Sequence, residues 1–97
     1  MKTFEEIKEL LQKHKEEFRE QYGLKGIGIF GSYIKGEQKE KSDLDILIEL
    51  DKPIGFVRFM RFESALSQLV GVRVEMVTRK ALKPHIGKRI LQEVKYV

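Results

Sequence analysis

The sequence predicts an α/β chain whose elements run helix-strand-strand-helix-strand-helix. Three observations predict it. Two segments carry apolar residues at helical spacing and are each stopped by a glycine, residues 43–50 alternate apolar and polar with a period of two, and residues 72–77 repeat that alternation. At 97 residues with 41% hydrophobic content the chain has room for one core, so residues 1–97 read as a single domain.

The first helix spans residues 3–22. Thr3 with Glu6 forms a capping-box pattern, Phe4, Ile7, Leu11 and Phe18 recur on one stripe, and Gly23 is placed to end it. His14 falls on the same stripe and reads as a packed, hydrogen-bonded side chain. Residues 24–30 form the first strand, with Ile27 and Ile29 on its apolar face, and run into Gly31-Ser32 and a polar loop over 35–42. The second strand, D-L-D-I-L-I-E-L, puts Leu44, Ile46, Ile48 and Leu50 on one face and Asp43, Asp45, Leu47 and Glu49 on the other.

Pro53 breaks that strand, and Phe56, Phe59, Met60, Phe62, Leu66, Leu69 and Val70 resume a helical stripe that reads as core until Gly71. Arg58 and Arg61 are expected on its solvated side. Val72, Val74 and Met76 then alternate with Arg73, Glu75 and Val77 as a third strand. Pro84 and a short stretch through Ile90, Leu91 and Val94 predict the last helix.

Composition removes several functions. Without cysteine there is neither a disulfide framework nor a thiolate metal site, and a cytoplasmic location is the simplest expectation. Lys and Glu interrupt the apolar positions from Met1 onward, and no apolar run approaches the ~20 residues of a membrane helix. A net charge of +4 attracts phosphates but is too mild for a dedicated nucleic-acid domain. Arg58, Arg61, Arg73, Lys80 and Lys88 are scattered, with no helix-turn-helix, RNP or zinc pattern beside them.

The chemistry is concentrated in Gly31-Ser32-Tyr33-Ile34-Lys35-Gly36 and Ser42-Asp43-Leu44-Asp45. A glycine at a strand end lets the backbone approach a ligand, and the turn after it can aim the Ser32 and Tyr33 amides at phosphate oxygens. Ser32 adds a hydroxyl, and Lys35 could add a positive charge. Asp43 and Asp45, two apart on one strand face, stand ~6.6–6.8 Å apart at Cα and can converge on one cation. Magnesium suits such hard oxygen ligands and leaves positions for phosphate. Without a cation the two charges repel and one pKa rises. Glu75, on the neighbouring strand, is the one candidate for a third carboxylate that ligates metal or takes a proton, the alternative being a surface glutamate paired with Arg73.

The pattern G-S-x(3)-G followed by S-D-x-D resembles the signature of the DNA polymerase beta nucleotidyltransferase superfamily, and above all its minimal nucleotidyltransferases. The resemblance spans nearly the whole chain, including residues 71–78 and 83–97. It implies the nucleotidyltransferase fold, a small mixed sheet flanked by helices. It also implies that Asp43 and Asp45 bind Mg²⁺, one ion or two, and that Gly31 and Ser32 hold the triphosphate of ATP. Two departures stand out: the third acidic position is usually aspartate but is Glu75 here, and the position of Tyr33 is often arginine. Lys35 keeps a basic residue where the family often has arginine. Minimal nucleotidyltransferases commonly act as antitoxins to HEPN-domain toxins, some by transferring AMP to a tyrosine. The resemblance therefore implies a Mg-dependent protein adenylyltransferase with a HEPN-type partner. An alternative of another class is a nucleotide-binding module that neutralises its partner by binding alone.

Overall fold

The computed structural model describes residues 2–97; Met1 of the amino-terminal stretch lies outside them. Helix α1 (Phe4–Tyr22) opens with the expected capping box: the Thr3 hydroxyl accepts from the Glu6 amide and Glu6 accepts from the Thr3 amide. Gly23 closes the helix at φ 72°, donating its N–H to the Arg19 carbonyl. Strand β1 (Leu24–Phe30) leads into a single helical turn, α2 (Ser32–Lys35), where the sequence predicts only turn and loop. Strand β2 (Leu44–Leu50), helix α3 (Gly55–Val70) and strand β3 (Val74–Thr78) follow, then a 3₁₀ turn (Arg79–Ala81), helix α4 (Pro84–Glu93) and a two-residue strand β4 (Lys95–Tyr96).

The sheet has the order β3-β2-β1-β4 and is mixed. β1 pairs antiparallel with both β2 and β4, whereas β2 and β3 run parallel, with α3 as the crossover that parallel neighbours need. The predicted order of elements omits β4. Two residues are too few to show a period, and they form a strand only because β1 offers them an edge.

One face of the sheet is the core. Ile27, Ile29, Leu44, Ile46, Ile48, Val74 and Met76 are buried with Ile7, Leu11 and Phe18 of α1 and Phe62, Leu66 and Val70 of α3. The Tyr22 ring stacks on Phe62 at 4.4 Å, and Phe18 meets Phe62 at 5.2 Å, which ties the two helices together. His14 is half-buried with Nδ1 3.0 Å from the Leu10 carbonyl, the packed role its position predicts. α3 also guards the sheet edge: Ser67 Oγ and Glu63 Oε2 accept the Val74 and Met76 amides of β3.

The α3 stripe departs from its reading as core over its first half. Phe56 is 77%, Val57 61% and Met60 45% exposed, and the fully buried residues of α3 begin only at Phe62. Arg58 is not merely solvated: its guanidinium donates to the Gln21 carbonyl and sits over the Tyr22 ring. On the second face of the sheet, Leu47 is fully buried between Gly28 of β1 and Val77 of β3. The carboxyl-terminal segment covers this face at Gly28, opposite Leu47, where a Cβ would fall 2.6 Å from Val94 Cγ2.

Candidate active site

The sheet register gathers the predicted residues in a row. Phe30, the last residue of β1, lies opposite Asp45 of β2, and Asp45 lies beside Glu75 of β3. Neighbouring strands are ~4.8 Å apart, so the two carboxylates start from adjacent Cα atoms on one face. Asp43 precedes β2, and its position is set by the Leu44 amide donating to the Arg73 carbonyl at 2.8 Å. The loop that delivers it is closed by Ser42, whose hydroxyl accepts the Lys39 amide at 2.8 Å while its own amide donates to the Lys39 carbonyl. Within S-D-x-D, the serine builds the approach to the aspartates.

Gly31 follows β1 at φ 79°, ψ −147°, a conformation that side chains rarely adopt. Space demands glycine as well. A Cβ there would lie 2.2 Å from Asp45 Oδ2, so the carboxylate rests directly against the turn. Ser32 and Tyr33 are the first residues of α2, whose opening N–H groups have no acceptor within the helix and remain free for an anion. The Tyr33 ring turns inward and is 2% exposed, where burial raises its hydroxyl pKa. Its only way to meet a phosphate is through its backbone, so the arginine-to-tyrosine departure converts a phosphate-facing position into core.

Asp45 has the strongest electrostatic signature. Burial, followed by the charges of Glu75, Asp43 and Glu93, pushes its carboxyl up to about 6. Among the described residues no Lys or Arg pairs with Asp43, Asp45 or Glu75, and the Arg73–Glu75 pair that the sequence offers as an alternative is absent. A divalent cation fits this donor set, since the oxygens are hard ligands and their mutual repulsion has no other relief. As they stand, however, no three acidic or imidazole side chains among the described residues are gathered closely enough to hold a metal ion. Phosphate oxygens would have to complete the coordination.

Glu93 is the residue that the sequence reading misses. Its Oε1 accepts the Gly31 amide at 3.1 Å and its Oε2 lies 3.6 Å from Lys35 Nζ, which ties α4 to the predicted phosphate turn. The available signal is its place at the last residue of a helix, where a carboxylate opposes the dipole. The carboxylates lie at the amino ends of β2 and β3. A cavity of about 790 Å³ lies toward the other ends of these strands, between Ile48, Pro53, Phe56, Phe59 and Val77, and includes none of the predicted site residues.

Comparison with known proteins identifies the family and the fold. Residues 11–97 match the nucleotidyltransferase domain family. The protein adenylyltransferase MntA of Thermococcus cleftensis is 45% identical over 97 residues, covering all of this chain and 98% of the relative. Two solved structures share the fold at lower identity. A toxin-antitoxin structure with AMP-PNP superposes with a TM-score of 0.75 at 21% identity, over 88% of this chain and 69% of that one. A tri-AMPylated Shewanella oneidensis HEPN toxin in complex with its MNT antitoxin gives 0.69 at 16% identity, over 93% and 70%.

Proposed function

This chain belongs to the nucleotidyltransferase domain family, and on that premise we propose that it transfers AMP from ATP to a hydroxyl of a HEPN-type toxin, acting as its antitoxin. The observation that carries the reading is the Asp45 carboxylate, pressed against the Gly31 turn and pushed up by burial and by three other carboxylates. Such a site is built to receive a cation together with phosphates. Relatives of the same length named as protein adenylyltransferases, and a structural neighbour that includes an AMPylated HEPN toxin, supply the acceptor. Residues 1–97 act as one domain in this reading. No helix among the described residues is long and apolar enough to cross a membrane, and we place the protein in the cytoplasm.

The Ser32 and Tyr33 amides, the Ser32 hydroxyl and the Lys35 ammonium bind the triphosphate, while Gly31 allows its close approach. Asp43 and Asp45 would hold Mg²⁺, one ion or two, with Glu75 as a further ligand or as the base. Bound there, magnesium would supply positive charge to neutralise the phosphates and the leaving pyrophosphate. The acceptor oxygen attacks the α-phosphorus in line, forming its O–P bond as the bond to pyrophosphate breaks. The hydroxyl proton passes to a carboxylate, and Glu75 suits this because it is exposed and free of ion pairs among the described residues.

The test is to incubate the protein with Mg²⁺ and α-labelled ATP, with and without the HEPN-type product of a neighbouring gene. Label on the partner supports the reading, and a complex that neutralises the toxin without label refutes it. One observation favours the second reading, neutralisation by binding alone: the three carboxylates are not gathered into a closed metal site. That reading predicts neutralisation that survives loss of both aspartates.

A further inference from the structure

The pairing of β1 with β4 has a defined arithmetic. Ile29 lies opposite Lys95, Gly28 opposite Tyr96, and the Val97 amide donates to the Ile27 carbonyl at 2.9 Å. Continuing the antiparallel register puts Glu93 opposite Gly31. The Glu93 backbone cannot serve there, because it is the last turn of α4, with the Val94 amide donating to the Ile90 carbonyl. Its side chain serves instead. Oε1 accepts the Gly31 amide at 3.1 Å, taking the hydrogen bond that a longer β4 would have accepted with a carbonyl.

This substitution has consequences a backbone acceptor would not have. A carbonyl would complete the ladder and stop, whereas the carboxylate has a second oxygen, 3.6 Å from Lys35 Nζ at the far end of α2. Glu93 thus grips the one-turn helix at both ends, at the amide that precedes it and at the ammonium that closes it. The Ser32 and Tyr33 amides lie between the two grips. Their direction follows from where Gly31 leaves the sheet, and Gly31 has little room to move, with Asp45 against its Cα and Glu93 on its nitrogen. The carboxylate also sits at the negative end of the α4 dipole, an unfavourable place unless it is held by such donors.

We propose that Glu93 is a positioning residue for the nucleotide: it fixes the β1–α2 turn in the orientation that presents the Ser32 and Tyr33 amides and Lys35 to the triphosphate. The inference rests on the nucleotidyltransferase reading for the identity of the ligand, but its geometric half does not require any ligand. It also makes the carboxyl-terminal segment part of the site, although no residue after Glu75 belongs to the predicted chemistry.

Glu93→Ala and Glu93→Gln separate positioning from packing. The glutamine keeps an oxygen for the Gly31 amide and loses the charge facing Lys35; the alanine loses both. Two measurements on the full chain decide: amide exchange of Gly31 by NMR without ligand, and the Kd for Mg·ATP without acceptor. Glu93→Ala is expected to speed Gly31 exchange and to weaken Mg·ATP binding about tenfold, the scale of one charge-assisted hydrogen bond. Glu93→Gln is expected to keep Gly31 protected and to restore the Kd to within about threefold, since the acceptor geometry survives. Unchanged Gly31 exchange in Glu93→Ala would overturn the proposal. So would faster exchange with an unchanged Kd, which would make Glu93 structural glue. A wild-type protein that binds Mg·ATP but labels no partner would refute the transfer reading and leave this comparison intact.

Discussion

The two faces of the sheet are built on opposite terms. The face under α1 and α3 is apolar throughout, and among the described residues no polar or charged side chain is buried. The opposite face carries Asp43, Asp45, Glu75 and the reach of Glu93, carboxylates that raise one another's cost, and among the described residues no Lys or Arg pairs with the aspartates. The difference teaches that stability is supplied by one side and spent on the other. A chain with a single helical layer to pack against can hold a repelling cluster of carboxylates only if the other face is well filled.

The largest effect should come from breaking the apolar face. Phe62 is fully buried between Phe18 and Tyr22, and Phe62→Ala should cost about 3–5 kcal/mol of unfolding free energy, measured by denaturant titration. Nucleotide affinity of the molecules that remain folded should stay unchanged. Breaking the other face should do the reverse. Asp43→Asn with Asp45→Asn should lower AMP transfer by at least about 10²–10³-fold, the scale of losing a preorganised electrostatic group, while circular dichroism shows the fold intact. Transfer that persists in the double variant would remove both aspartates from the chemistry.

The same division explains what could be read in advance. The apolar face follows from local pattern: Thr3, Glu6 and Gly23 bound α1, Gly71 stops α3, and Leu44, Ile46 and Ile48 alternate as a half-buried strand must. The carboxylate face is legible where its residues form a local motif, as Gly31-Ser32 and Asp43-x-Asp45 do, or fall on a strand whose alternation can be read, as Glu75 does. Glu93 escapes because its role depends on a register 62 residues away. Leu47 escapes for a similar reason: its alternation puts it with the aspartates, and only the later arrival of Val94 over Gly28 covers that side. Phe56 and Met60 mislead in the other direction, since they share the apolar stripe of α3 yet stay exposed while Phe62, Leu66 and Val70 are buried.

A sharper probe of the comparison is pH. With the Asp45 carboxyl raised from 3.8 to about 6, the folded chain holds more protons than the unfolded chain between those values. The Asp45 contribution to metal-free stability should therefore be fully present below the lower value and be lost as pH rises through about 6, by about 1–2 kcal/mol after allowance for solvent screening of a partly exposed group. Thermal unfolding of wild type and Asp45→Asn from pH 4 to 7 in chelator should show it as a difference, the wild type losing stability relative to the variant as pH rises and the variant being the more stable protein at pH 7. Added Mg²⁺ should stabilise the wild type more than this variant.

The smallest effect should come from a carboxylate on the same face that is not in deficit. Glu49 lies two registers beyond Leu47 on β2, on the side of the sheet that bears Asp45, but it has a cation: Arg79 donates to its Oε1 at 2.6 Å. Arg79 is exposed, where water and salt screen such a bridge and leave it little net effect. Arg79→Ala should accordingly leave the unfolding midpoint in a denaturant titration nearly unchanged and leave AMP transfer and its metal dependence untouched. If it instead reduced transfer as Asp45→Asn does, the carboxylates of this face would be acting as one electrostatic unit along the strand. If it does not, the cost of the face is confined to the end where Gly31, Asp45 and Glu75 meet, and the pairing of Glu49 is what an acidic residue on this sheet looks like when no ligand is expected to complete it.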